Sequence, residues 1–155
     1  MLSDDVYKTR YRTTVAALEA WLDGLRPVAA IEIARDDGSW RVSVLPHSAE
    51  ACPFEIVLRA DQHFDIGIGP ETYEDQPVET LDLFQPLLTA ITRAEVVTSS
   101  WSTAATGALV MVATRVTPAQ GKRWFRSRTI GSIGRAADTH LIREDHHYVP
   151  YARGA

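Results

Sequence analysis

The chain has 155 residues, of which 45% are hydrophobic and 23% charged, a composition typical of one globular domain that buries a core without disulfides or a structural metal. Its single cysteine, Cys52, excludes an internal disulfide, and the lack of a long apolar run argues against a leader segment or a membrane-spanning helix. We therefore expect a soluble cytoplasmic protein. The preference for arginine over lysine, together with many alanines, is typical of a chain encoded by a GC-rich bacterial genome.

The first elements in the chain are a helix and a hairpin. Within residues 4–24, apolar residues recur at spacings of three and four and so form one stripe along a helix. This pattern predicts a helix that begins after Ser3 and ends near Gly24. Residues 28–35 and 40–45 then alternate around an Asp-Gly turn, a favoured hairpin connection. The predicted register sets Ile33 opposite Val42 and Arg35 opposite Trp40, so that the apolar faces of the two strands match.

A second hairpin is predicted between Phe54 and Pro70. Apolar residues alternate on both sides of Asp61-Gln62-His63, and a three-residue loop there sets Leu58 opposite Ile66 and Arg59 opposite Asp65. Gly67 and Gly69 then leave a shallow trough on the outer face. Two explanations stay open: a bend or a covering aromatic side chain, or the close approach of a ligand or partner backbone.

The rest of the chain adds a helix, more strands and a polar end. Residues 70–77 are acidic and predicted as a surface loop, and a second helix begins at Glu79 or Thr80 with Pro86 near its start or at a kink. Strands follow at 95–101, 108–117 and 122–129. We predict an α+β fold with a largely antiparallel, curved sheet in the order α-β4-α-β3 and both helices on one face. Residues 1–134 form a single domain, to which a polar C-terminal helix and tail, 135–155, also belong.

A basic hairpin is the first candidate site. Residues 96–137 contain no carboxylate, whereas 71–82 contain no basic residue and carry Glu71, Glu74, Asp75, Glu79 and Asp82. A four-residue loop at 118–121 would set Arg115 opposite Trp124 and place Arg126 and Arg128 on the same face. Such arginine forks bind carboxylate or phosphate, and a tryptophan can stack on a planar ligand. The alternative is that these arginines pair with the acidic segment of the same chain.

A second candidate site lies near the C-terminus. His140, Glu144 and His147 are spaced i, i+4, i+7, which on a helix would align a potential set of ligands for zinc or another divalent ion. This pattern differs from the H-E-x-x-H order of zinc proteases.

The sequence contains no motif specific for one reaction. We expect a non-catalytic binding or protein-interaction domain that acts without a cofactor and contacts neither nucleic acid nor membrane. Its partner would be an anionic small molecule, another protein or a second copy of the chain. The alternative function is a small metal-assisted hydrolase that uses the His140, Glu144 and His147 face.

Overall fold

A computed structural model describes residues 2–130 and 140–152. The α+β class and the antiparallel pairing are confirmed, since the chain has two helices and two antiparallel sheets. The elements, in chain order, are α1 (Asp4–Asp23), β1 (Ala29–Arg35), β2 (Ser39–Pro46), β3 (Phe54–Arg59), β4 (His63–Ile68), β5 (Glu71–Pro77), a 3-10 turn (Leu81–Leu83), α2 (Phe84–Thr92), β6 (Val96–Thr103), β7 (Leu109–Val116), β8 (Trp124–Thr129) and β9 (Leu141–His147).

The strands form two sheets, so the single sheet with the order α-β4-α-β3 is wrong. One sheet has five strands in the order β1-β2-β3-β4-β5, and the other has four in the order β8-β7-β6-β9. The acidic segment predicted as a loop is strand β5, which buries Glu71 and Tyr73 on alternate positions and exposes Thr72 and Glu74. Buried and exposed positions alternate at the start of this strand, but the first buried residue, Glu71, is charged. The sequence therefore lacks the apolar alternation that would have predicted a strand.

The predicted C-terminal helix is also wrong over the part that the structure describes. Residues Leu141–His147 form β9, which pairs antiparallel with β6. All seven residues of β9 are exposed, so no apolar period of two marks the strand in the sequence. Residues 131–139, which contain the predicted domain limit at 134 and the start of the predicted helix, lie outside the described residues.

The hydrophobic core lies between the helices and the inner face of the five-stranded sheet. The α1 stripe is confirmed, because Tyr7, Leu18 and Leu22 are almost fully buried. The Tyr7 hydroxyl donates to the Arg59 carbonyl over 2.8 Å and thereby fixes α1 across the end of β3. The four-stranded sheet adds only a few residues to the same cluster, namely Val96, Val116 and Trp124.

The predicted register is confirmed for the first of the two hairpins and is wrong for the second. In β1–β2 the pairs Ile33–Val42 and Arg35–Trp40 are confirmed. In β3–β4 the loop has three residues as predicted, but it is centred on Asp61, so that Ile56 pairs with Ile66 and Glu55 with Gly67. Since this register differs from the predicted one by two positions, the apolar faces still match.

The segment after β9 returns to the first sheet. Val149 forms a bridge with Ala51 and donates its N–H to the Glu50 carbonyl over 3.1 Å. The buried Tyr151 donates its hydroxyl to the Cys52 carbonyl. This segment therefore joins the end of the four-stranded sheet to the connection between β2 and β3. Among the described residues, no helix has the length and apolar character needed to cross a membrane.

Candidate binding cleft between the two sheets

The basic hairpin has a register different from the predicted one. Trp124 pairs with Val116, and Arg115 pairs with Phe125 on the opposite face. The reason is the length of the connection: β7 ends at Val116 and β8 begins at Trp124, and the N–H of Thr117 donates to the Glu95 carbonyl over 3.0 Å. Arg115 therefore does not share a face with Trp124, Arg126 and Arg128.

The other two arginines of the predicted site are engaged by β5. Arg128 donates to both carboxylate oxygens of Glu71, over 3.1 and 3.2 Å, and this contact raises the pKa of Arg128. Arg126 donates through Nε to Gln76 over 2.8 Å. The structure therefore has the alternative arrangement, in which the basic hairpin pairs with the acidic segment of its own chain.

Trp124 is part of this internal contact. Its side chain is 4% exposed and packs edge-on against Tyr73, with ring centroids 5.6 Å apart. The guanidinium of Arg126 covers the Trp124 ring at 4.8 Å. The Tyr73 hydroxyl in turn lies 2.8 Å from the hydroxyl of the buried Thr114. Trp124 is thus buried in the contact between the two sheets.

The two candidate glycines have different surroundings. Gly69 has a φ of +57°, and a Cβ there would lie 2.6 Å from the Tyr148 hydroxyl oxygen, so an aromatic side chain covers this position. Gly67 faces Glu55, and its nearest neighbour to an added Cβ is the Thr72 hydroxyl at 3.6 Å. It lies in a shallow groove of about 390 Å³ on the outer face of the five-stranded sheet.

The predicted His140, Glu144 and His147 face does not exist. Because residues 141–147 form a strand, Glu144 and His147 point to opposite faces of the sheet. Within residues 2–130 and 140–152, no group of three or more His, Cys, Asp or Glu side chains is arranged to hold a metal ion.

A cleft of about 920 Å³ lies where the four-stranded sheet extends beyond its contact with β5. Strands β6 and β9 form one wall, since their pairing aligns Thr98 with His146 and Ser100 with Glu144 on one face. The connection before β3 and the β4–β5 turn form the other wall. The lining includes Glu50, Ala51, Pro53, Pro70, Glu71, Thr98, Ser100, Leu109, Val112, Glu144, His146, Tyr148 and Val149.

The cleft combines hydrogen-bonding groups, apolar side chains and carboxylates. Tyr148 is held by a 3.0 Å contact between its hydroxyl and that of Thr98, and its ring packs edge-on against His146 at 4.4 Å. Glu71 is neutralised by Arg128, whereas Glu50 and Glu144 are exposed. The site is therefore suited to bind a group that carries positive charge beside an apolar portion.

Cys52 lies behind this cleft and is fully buried. Burial raises the pKa of its thiol to about 12, so the thiol remains protonated at neutral pH. The thiolate is the reactive form of cysteine, and Cys52 is therefore a structural residue.

Sequence reasoning missed this cleft. The run Thr98-Ser99-Ser100 is polar at every position, so it shows no alternation that would have marked Thr98 and Ser100 as one polar face. The opposite wall is formed by residues between 50 and 71. Their distance from β6 and β9 depends on how the two sheets pack against each other. In comparisons with protein-family models, curated proteins and solved structures, nothing matched this chain.

Proposed function

We propose that this protein is a non-catalytic binding domain whose cleft between the two sheets holds a segment of a partner protein that carries both positive charge and apolar side chains. The observation that carries the proposal is the lining of the cleft. Carboxylates at Glu50 and Glu144 flank apolar surface from Pro53, Leu109 and Val112. Specific sites commonly combine such apolar area with a few polar groups that fix orientation.

The chemistry around the cleft supports binding rather than catalysis. A nucleophile needs a neighbouring base or a lowered pKa, whereas the Cys52 thiol has a pKa of about 12. The Ser99 hydroxyl donates to Asp145 over 2.6 Å on the opposite face of the sheet. The Thr98 hydroxyl contacts Tyr148. These groups have structural partners that fix their positions.

A protein segment is a better occupant than an anionic small molecule, which was one of the partners that the sequence left open. Arg126 and Arg128 already have acceptors in β5, and a competing anion would have to displace Glu71 or Gln76. The negative walls of the cleft and the net charge of −4 also argue against nucleic acid. The proposal includes a cytoplasmic location, where a reduced Cys52 is expected.

Selection of random peptides of fixed length on the immobilised protein tests this function. We expect enrichment of peptides with Lys or Arg next to apolar residues. A Glu50→Gln, Glu144→Gln double variant should bind the selected peptides at least about tenfold more weakly at low salt, because both carboxylates are lost.

The matched control is Glu74→Gln, Glu79→Gln, which removes two exposed carboxylates outside the cleft and should leave binding unchanged. Backbone amide shifts on adding a selected peptide should map to Thr98 and Ser100. Enrichment of acidic peptides, or equal loss of binding in both double variants, would contradict the proposal.

A further inference from the structure

Strand β9 is an edge of the four-stranded sheet, and nothing within the described residues pairs with its outer side. All seven residues are exposed, including Leu141 at 41% and Ile142 at 52%. An edge of this length presents a row of free N–H and C=O groups to any extended chain. Natural edge strands are usually short, bulged, charged or covered. Strand β9 carries charges at Arg143, Glu144 and Asp145, but no register shift interrupts its ladder with β6.

The ladder with β6 determines which backbone groups point outward. The N–H of Ala104 donates to the His140 carbonyl over 2.9 Å, so His140 and every second residue after it direct their backbone groups toward β6. The backbone groups of Leu141, Arg143, Asp145 and His147 therefore point away from the sheet. A further antiparallel strand must pair with these odd-numbered positions.

The side chains of β9 complement those of a second, antiparallel β9. When two copies are related by a two-fold axis at Glu144, all seven residues pair, and odd positions face odd positions as the backbone requires. Arg143 then lies opposite Asp145 of the other copy, and this ion pair occurs twice. Leu141 faces His147, and Ile142 faces His146. The two nearest registers that also satisfy the backbone, with the axis at Arg143 or at Asp145, set that charged residue against itself, and registers shifted further pair fewer residues.

We propose that two copies of this chain associate through antiparallel pairing of their β9 strands, which joins the two four-stranded sheets into one. The inference goes beyond the proposed binding function, because it concerns the outer edge of β9 rather than the occupant of the cleft. It has one consequence for that site: since Glu144 lies at the axis and faces the cleft, the two clefts become neighbours on one sheet face.

A charge-exchange experiment separates pairing between copies from pairing within one strand. Arg143 and Asp145 also contact each other within the chain at 2.9 Å, so a single substitution alone cannot distinguish the two contacts. Arg143→Glu makes positions 143 and 145 both acidic, and Asp145→Lys makes both basic. Each variant loses the pair within its own strand, whereas a mixture restores opposite charges only between copies.

Sedimentation velocity across a concentration series is the measurement. The unmodified protein should sediment with a mass twice 17.2 kDa, each single variant should be monomeric at the same concentration, and the equimolar mixture should return to the doubled mass. Circular dichroism of each variant verifies the fold. A monomeric unmodified protein would overturn the proposal. A doubled mass that persists in both variants would overturn it as well.

The Glu144 position tests the register. In the proposed pairing Glu144 faces its own copy across the axis, and like charges directly opposite one another destabilise a strand pair. Glu144→Gln should tighten the dissociation constant about fivefold. The control Glu79→Gln removes an exposed carboxylate outside the strands and should leave the constant unchanged. An unchanged constant for Glu144→Gln would exclude this register. The measurement uses no peptide, so its result is independent of the cleft test.

Discussion

The inner face of the five-stranded sheet carries Val42, Ile56 and Ile66, all without measurable exposure, whereas the inner face of the four-stranded sheet carries Thr98, Ser100 and His146. The first face can be covered by helices because it contains no group that needs water. The second face contains polar groups whose burial requires hydrogen-bonding partners. Strand β5 supplies such partners over one half of that face, and the other half forms the cleft.

The difference between the two faces predicts the largest effect on stability. Ile66→Ala removes a fully buried side chain from the first sheet and should lower the free energy of unfolding by about 3–4 kcal/mol. Ile142→Ala removes a half-exposed side chain from β9 and should change it by less than about 0.5 kcal/mol. Urea unfolding measures both, and similar losses would show that the second sheet has a core of its own.

The contact between the sheets at Gly69 predicts a smaller effect. Gly69→Ala places a Cβ on a residue with positive φ and 2.6 Å from the Tyr148 hydroxyl, and should cost about 2 kcal/mol. Gly67→Ala is the matched control, because its Cβ meets nothing closer than 3.6 Å. Thermal unfolding compares the two, and Tyr148→Phe should recover part of the loss. A larger loss at Gly67 would indicate that the trough, rather than the tyrosine contact, requires glycine.

The hydrogen bond that joins β5 to β7 predicts a loss of about 1.5 kcal/mol. Tyr73→Phe removes the hydroxyl that lies 2.8 Å from that of Thr114, which is buried in the contact between the sheets. Thr114→Val removes the other partner. A double-mutant cycle by urea unfolding should give a double variant less destabilised than the sum of the single variants. Additive losses would mean that the two hydroxyls do not interact in solution.

Helix α1 contacts the first sheet through Tyr7, and loss of this hydrogen bond should have the smallest effect on the free energy of unfolding at neutral pH. Tyr7→Phe loses one hydrogen bond to the Arg59 carbonyl, about 0.5–1 kcal/mol. Burial raises the pKa of Tyr7 to about 12, above the value near 10 of an unfolded chain.

The sign of the pH effect follows from this difference. Between pH 10 and 12 the unfolded state releases the Tyr7 proton first, so stability is present below pH 10 and is lost as the pH rises through this window. The Tyr7→Phe variant should lose less stability there than the unmodified protein does. The free energy of unfolding of both proteins, measured at pH 9 and pH 11, tests this. An equal loss of stability in the two proteins would show that burial does not raise the pKa of Tyr7.

Local signals predicted the first half of the fold better than the second. The Asp-Gly turn at Asp37-Gly38 fixed the β1–β2 register, because turn chemistry and apolar alternation agreed. The α1 stripe was equally clear. In the β3–β4 hairpin the alternation fixed which face is buried, but any odd loop satisfies it, and the pairing was misplaced by two residues.

The candidate site could not be predicted for a related reason. Strand β5 buries Glu71 because Arg128 from a distant strand neutralises it, so its acidic sequence resembles a loop until that partner is known. The position of Arg115 depended on the length of the connection 117–123, which the sequence does not define. The cleft itself requires the relative placement of two sheets, and that placement arises from contacts such as Tyr73 with Thr114.

The contact of Tyr151 with Cys52 also bears on the order in which the protein is made and folded. These two residues are 99 positions apart, and the contact requires the chain as far as Tyr151 to have left the ribosome. The elements between Asp4 and Pro77 are complete much earlier and can collapse first. Until Tyr148 and Tyr151 have been synthesised, the newly made chain therefore has its first sheet without the contacts of these two tyrosines. A chaperone or a protease would encounter the chain in that form.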